Sequence, residues 1–299
     1  MSQLVQLISD DPSHAAFNTK CLQEAVDQAA AAAELIHKAP AELLLPKGRF
    51  FFASAGKACD YRDERRQQTI AEHVILLHDG VTIIGQGRDT VLCPVGDTDE
   101  GLDMFYFNAF LDSGFRRREY LKDCHFRDFA IDSQKTSCRR YTTAGKGFML
   151  NLCQDCTWEN IQIYRTDGTG FGMDCTIRCR IANCYAEGCG KGASDQSGGG
   201  SGFGIGYGAS DEESMEITSC EAVGNRKFGF FFENQARFNQ AYGAVSHGDF
   251  LVRDCLASGN LYNFGGMLSE NVVYDNCRGT SPREKDYFFG DRSRDNVIR

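Results

Sequence analysis

Apolar and polar positions recur in a fixed order along much of the chain. Six segments end on Phe129, Ile161, Cys184, Cys220, Cys255 and Cys277. Three residues before each stands an apolar residue: Phe126, Trp158, Ile181, Ile217, Val252 or Tyr274. Immediately before each stands a polar one: Asp128, Asn160, Asn183, Ser219, Asp254 or Asn276. A second kind of strand alternates with these. It begins Gly-Phe and is seen at Gly147–Asn151, Gly170–Asp174, Gly202–Gly206 and Gly229–Glu233. Alternation places Phe171, Phe203 and Phe230 on one face, together with Met173, Ile205 and Phe232. The intervals from Ile161 to Cys184 and from Cys255 to Cys277 are close to one bare solenoid coil of ~20–25 residues. The longer intervals must carry loops, and these fall at Ser133–Gly145, Lys191–Ser201 and Asn234–Gly248.

Upstream the pattern changes period. Leu22, Ala25, Val26, Ala29 and Ala30 recur at helical spacing, which predicts a helix over Ala15–Ala33. Leu43–Phe50, Val81–Gly87 and Thr90–Leu92 are predicted as short strands, and the charged stretch Lys57–Glu72 as a surface loop. The expected architecture is all-β: one parallel β-helix domain over residues 1–299. Residues 1–50 form its helical cap and lead-in, and residues 121–299 its regular coils. The helix covers the open end of the apolar core.

Composition narrows the function. The chain has 299 residues, 32 Gly, 5 Pro and a net charge of −9. An acidic protein without a basic face is not expected to bind nucleic acid. No stretch approaches the ~20 apolar residues of a membrane helix. The amino terminus lacks the basic start and apolar run of a signal peptide. Cytoplasmic, virion-associated or non-classically secreted locations remain open. Fourteen Cys would suit a reducing compartment. Cys184, Cys220, Cys255 and Cys277 share one register and are expected to stack inward as small apolar residues. Their wide spacing is unlike a structural zinc motif, so no metal or cofactor is expected.

Candidate chemistry lies where the repeats differ. The outward column of the Gly-Phe strands holds Asp174, Gly206 and Glu233, beside Gly172, Gly204 and Phe231. Coils lie ~4.8 Å apart, so two acids separated by one glycine coil should face each other across a gap. Carboxyl pairs ~6.5–9.5 Å apart suit inverting glycosidases and ~5–5.5 Å retaining ones. Asp174 and Glu233 are therefore the candidate catalytic pair, and Phe231 a candidate ring for stacking on a sugar. Tyr207 is either an acid–base group or a core aromatic. Asp211 either flanks the cleft or belongs to the solvated turn Asp211-Glu212-Glu213. Arg237 and Arg178 suit a sugar carboxylate or pair with neighbouring acids. His247, in the aromatic loop, is a substrate-binding candidate or a surface residue.

The lead-in, with Leu45-Pro46-Lys47-Gly48-Arg49-Phe50 and a strand ending Gly85-Gln86-Gly87, resembles that of pectate-lyase-like right-handed β-helices. Glu221-Ala222-Val223-Gly224-Asn225 and Leu256-Ala257-Ser258-Gly259-Asn260 resemble the repeats of mannuronan C5-epimerases and related polysaccharide-acting proteins. The epimerase active strand reads Tyr-Gly-x-Asp-Pro-His. Phe171-Gly172-Met173-Asp174-Cys175-Thr176 matches it at the Asp and differs at the Tyr, Pro and His. The resemblance implies a poly- or oligosaccharide substrate. The expected activity is glycosidic-bond cleavage or rearrangement. A uronate lyase or C5-epimerase is the alternative, using Arg178, Lys191 or Arg237 as neutralising cation. A non-catalytic glycan-binding module, tailspike-like or adhesin-like, is the rival class, and a dimer or trimer is open in either case.

Overall fold

The computed structural model describes residues 2–36, 41–60, 69–107, 120–194, 196–235 and 248–299. Within them the strands stack almost entirely in parallel. Nine form one sheet and seventeen another, which bends around the rest of each coil. The chain is a parallel β-helix.

The polar residue that precedes each reference position makes the bend. Asp128, Asn160, Asn183, Ser219, Asp254 and Asn276 all have φ between 51 and 62°. This left-handed conformation is costly for most L-residues, and Asn and Asp tolerate it best. The bend turns the next side chain inward, so Cys184, Cys220 and Cys255 are 2% exposed or less. Each thiol then does more than fill space. The N–H groups of Ile161, Cys184 and Cys220 donate to Sγ of Cys184, Cys220 and Cys255, each at 3.4 Å. The same three thiols donate to the carbonyls of Ala182, Thr218 and Arg253, each at 3.2 Å. The ladder therefore satisfies main-chain groups that the bend takes out of the sheet.

The Ala-x-Gly-Asn motif makes a second ladder. Gly224 and Gly259 have φ of 60 and 66°, and the Asn that follows each is fully buried. Asn225 Oδ1 accepts from the Cys189 N–H at 2.9 Å, and Asn260 Oδ1 from the Asn225 N–H at 2.8 Å. Their amide groups donate back to Ala186 O and Ala222 O. On the inward side of the Gly-Phe strands the rings stack coil on coil. Phe171–Phe203 and Phe203–Phe230 centroids are 4.7 Å apart and nearly parallel, and the column continues to Phe148 and Phe264.

The helix spans Ala15–Ile36. It buries Leu22, Ala25, Val26 and Ala29 against the first coil. Asn18, wholly buried, ties it to the Ile8 and Phe51 carbonyls. Two expected loops contain strands instead. Gly56–Asp60 pairs antiparallel with Thr69–Leu76 within the charged stretch, and Lys135–Cys138 pairs with Val95–Thr98. In both, main-chain pairing with an existing sheet edge outweighs a polar composition. Among the described residues no helix is long and apolar enough to cross a membrane.

Candidate functional site

The nine-stranded sheet fixes the register of the candidate acids. Asn151 pairs with Asp174, Asp174 with Gly206, Gly206 with Glu233, and Glu233 with Met267. Alternation from the inward Phe column turns these positions outward. The Asp174 and Glu233 backbones are two coils apart, or about 9.6 Å.

The space above Gly206 is not the open gap expected from the sequence. A Cβ built on Gly206 would lie 2.3 Å from Asp174 Oδ1 and 2.3 Å from Gln235 Nε2. The glycine is a notch, and both side chains lean into it. Gln235 Nε2 donates to Asp174 Oδ1 at 3.3 Å. With its amide oriented to donate, Asn151 reaches Asp174 Oδ2 at 3.2 Å. One amide on each side thus fixes the plane of the half-buried Asp174 carboxylate. Glu233 is half-buried on the far side of the notch.

Two further charged groups adjoin this column. Lys146 is only 8% exposed. Its chain lies over Gly172, where a Cβ would meet Lys146 Cδ at 2.5 Å and Nζ at 3.2 Å. Its ammonium also contacts Met149 Sδ at 3.1 Å. Gly172 is two residues before Asp174 on the same strand face, about 6.6 Å away. Glu213 is 1% exposed. Its carboxyl group accepts from the Gly208 N–H at 2.5 Å and the Ala209 N–H at 3.0 Å. Burial pushes its pKa up to about 7, the two main-chain donors and the Cys175 thiol oppose that rise, and the nearby Asp174 charge adds to it.

The remaining candidates separate. Tyr207 belongs to the core. It is fully buried and packs on Phe250 at 4.5 Å. Its hydroxyl donates to Glu270 O at 3.2 Å and accepts from the Glu270 N–H. Burial raises its pKa to about 12, so the acid–base alternative for Tyr207 is set aside. Arg178 is committed to Asp155 through two bonds, Nε–Oδ1 at 2.8 Å and Nη2–Oδ2 at 2.6 Å, which favours the ion-pair alternative. Lys191 bonds to the buried Asp167 and to Thr136, tying two loops together. Asp211 stands exposed on its turn, whereas Glu213, two residues on, is buried. Phe231 is half-buried and faces outward, and its ring lies 4.8 Å from that of Phe228. Arg237 and His247 lie outside the described residues.

Lys146, Gln235 and Glu213 adjoin the site without having been expected there from the sequence. The side-chain-free Gly172 was a signal for Lys146, since a small residue amid bulky outward positions leaves room for a neighbour. Glu213 carried no signal, because three consecutive acids read as a solvated turn. Among the described residues no group of three or more His, Cys, Asp or Glu is placed to hold a metal ion.

No family model matches the chain, and no curated protein matches it either. Among solved structures it is similar to the A-module of mannuronan C-5 epimerase AlgE6 from Azotobacter vinelandii, at 19% identity and a TM-score of 0.58. That match covers 86% of this chain and 58% of the epimerase module, so the chain spans little more than half the length of that relative. It is also similar to an alginate lyase from Paenibacillus sp. str. FPU-7, at 14% identity and a TM-score of 0.45, over 94% of this chain and 93% of that one. A third similar structure is the Streptococcus pneumoniae surface protein and adhesin PfbA, at 11% identity and a TM-score of 0.42, over the full length of both chains. At 19% identity the similarity to the epimerase module establishes the fold: a right-handed parallel β-helix.

Proposed function

We propose that the protein is an enzyme acting on a poly- or oligosaccharide chain laid along the outward face of the nine-stranded sheet. Asp174 and Glu233 are the carboxylates that work on the glycosidic bond. The observation that carries this reading is the in-register column Asn151–Asp174–Gly206–Glu233, with its notch at Gly206. Asp174 is oriented by two amides before any substrate arrives, as a positioned acid–base group must be. Glu233 supplies the second carboxyl group from a backbone two coils away, beyond the notch into which Asp174 and Gln235 lean. Gln235 is placed to bond a sugar hydroxyl while it holds Asp174.

Lys146 favours a second reading. A buried ammonium reaching over Gly172, two residues before Asp174 on the same face, would offset the carboxylate of a uronic acid while Asp174 draws off the C5 proton. Under that reading the reaction is uronate elimination or C5 inversion, and the substrate is a polyuronate.

The parent protein, Asp174→Asn and Glu233→Gln, incubated with neutral glucans, alginate and polygalacturonate, separate the readings. New reducing ends that both substitutions abolish support hydrolysis. Unsaturated uronate ends, or inverted uronates seen by NMR, support the second reading if Asp174→Asn and Lys146→Met both abolish them. Full turnover by both carboxylate variants would show that the site lies elsewhere. Binding without turnover of any polymer identifies a non-catalytic glycan-binding module.

A further inference from the structure

Beyond Glu233 the outward face of the nine-stranded sheet changes character. In earlier coils the outward positions are roofed. Met149 packs with Tyr106 and Ala144, Gly172 lies under Lys146, and Gly204 under Thr169. In the last three coils the same column reads Phe231, Gly265, Phe288, and both rings are half-exposed. They are linked by Phe228 and Tyr262. Phe231 and Phe228 centroids are 4.8 Å apart, Phe228 and Tyr262 5.0 Å, and Tyr262 and Phe288 4.4 Å with planes 17° apart. Gly265, between Phe231 and Phe288, lets the main chain of the last coil approach closely. A Cβ there would strike the Phe288 carbonyl at 1.8 Å, and its φ of +149° suits glycine alone.

Two more groups complete this surface. Met267 follows Glu233 in the neighbouring column and is 38% exposed, its thioether lying over Gly290. Lys285 is exposed, with its ammonium 5.9 Å from the Phe288 ring centre. The interior gains nothing from these outward rings, because the inward column Phe230–Phe264–Tyr287 already fills the same three coils. Half-exposed rings with the Lys285 ammonium at their edge suit an amphipathic ligand with apolar C–H faces and polar edges, which is the surface of a sugar ring.

We propose that Phe231, Tyr262, Met267 and Phe288, with Lys285 at their edge, form a distal subsite for the saccharide chain that reaches Asp174. This rests on the reading of the sheet face as a glycan groove. The subsite lies two to four coils from Asp174, or about 10–19 Å along the axis. A chain parallel to the axis would cover both regions, whereas a short oligosaccharide at Asp174 would not reach Phe288. The platform therefore selects for chain length.

The test separates binding from turnover. Affinity electrophoresis through gels containing alginate, polygalacturonate or a neutral glucan is run for the parent protein, Tyr262→Ala, Phe288→Ala and Phe288→Leu. The leucine variant retains apolar packing and removes only the flat ring. At least one polymer should retard the parent, and the three variants should bind it roughly five- to ten-fold more weakly. Turnover of a short oligosaccharide of the same sugar should stay within two-fold of the parent, while the advantage of the long polymer disappears. Unchanged retardation of Phe288→Leu and Tyr262→Ala overturns the proposal, as does a parent that no polymer retards. A loss of short-substrate turnover equal to the loss on polymer also overturns it, because the defect would then be structural. Asp174→Asn serves as the independent control. If it still turns over substrate, the assignment of the reacting centre fails, and the retardation results continue to decide the platform.

Discussion

Gly206→Ala is the sharpest perturbation of the candidate site. The change adds one methyl group and deletes no side-chain atom. Its Cβ would stand 2.3 Å from Asp174 Oδ1, 2.3 Å from Gln235 Nε2 and 2.8 Å from Gln235 Cδ. Ordinary contact begins at 3.4 Å, so both polar groups must retreat by about 1 Å. Their mutual bond, 3.3 Å long, cannot survive that separation. Both obstacles are the ends of half-buried side chains that can turn aside, so the overpacking costs about 1 kcal/mol, the low end for such insertions, and the lost bond adds about 1 kcal/mol. A displacement of about 1 Å at a reacting group lowers turnover by roughly 10²-fold. Thermal unfolding and turnover on the best polymer are measured for the parent, Gly206→Ala, Gln235→Ala and the double variant. In the double variant the methyl group meets one obstacle fewer, so its loss of stability should be less than the sum of the two single losses. If Gly206→Ala keeps the parent's melting temperature and turns over within two-fold of it, the notch does not position Asp174.

Other expectations follow from the buried polar groups. Glu213 has a folded pKa of about 7 against an ordinary 4.5. The folded state therefore holds a proton that the unfolded state has released, and stability falls as pH rises from about 4.5 through 7, by roughly 3 kcal/mol in total. Glu213→Gln should flatten that part of a stability-against-pH curve measured by urea unfolding, and a slope equal to the parent's would sink the assignment. Asn260→Ala removes the acceptor for the Asn225 N–H and the donor to Ala222 O. It should cost about 2–4 kcal/mol, measured by the shift in the urea midpoint. Cys220 and Cys255 are buried with thiol pKa values pushed up by burial and by neighbouring thiols. In the native protein they should resist a thiol reagent that modifies them at once in denaturant, as peptide mapping by mass spectrometry would show.

The scaffold was legible because its rules are local and repeat. The Asn, Asp or Ser at each bend suits left-handed backbone, the residue after it turns inward as a buried apolar group or a Cys, and the Ala-x-Gly-Asn serves a turn that needs a side-chain amide. Each recurs, so alignment of the copies exposed the coils and the outward column of Asp174, Gly206 and Glu233. What escaped were side chains that reach sideways between coils. Gln235 stands just past the strand that ends at Asn234 and leans back into the notch, and Lys146 lies over the strand of the next coil. Tyr207 could have been assigned by parity, since it alternates with Phe203 and Ile205. Glu213 could not, because its burial depends on how the Gly208–Ala209 turn folds back to donate two N–H groups.

The Phe148–Phe171–Phe203–Phe230–Phe264 stack has a consequence for how such a site can change. Parallel strand pairing holds every outward residue in register with its neighbours, and the inward rings stack to the same register. The backbone spacing between two carboxylate-bearing residues on this face is therefore quantised: it alters by whole coils of ~4.8 Å or not at all. Fine adjustment falls to side-chain length and to what occupies the glycine between them. A lineage retuning this groove would exchange Asp for Glu, or fill and empty the notch, long before it could move a strand.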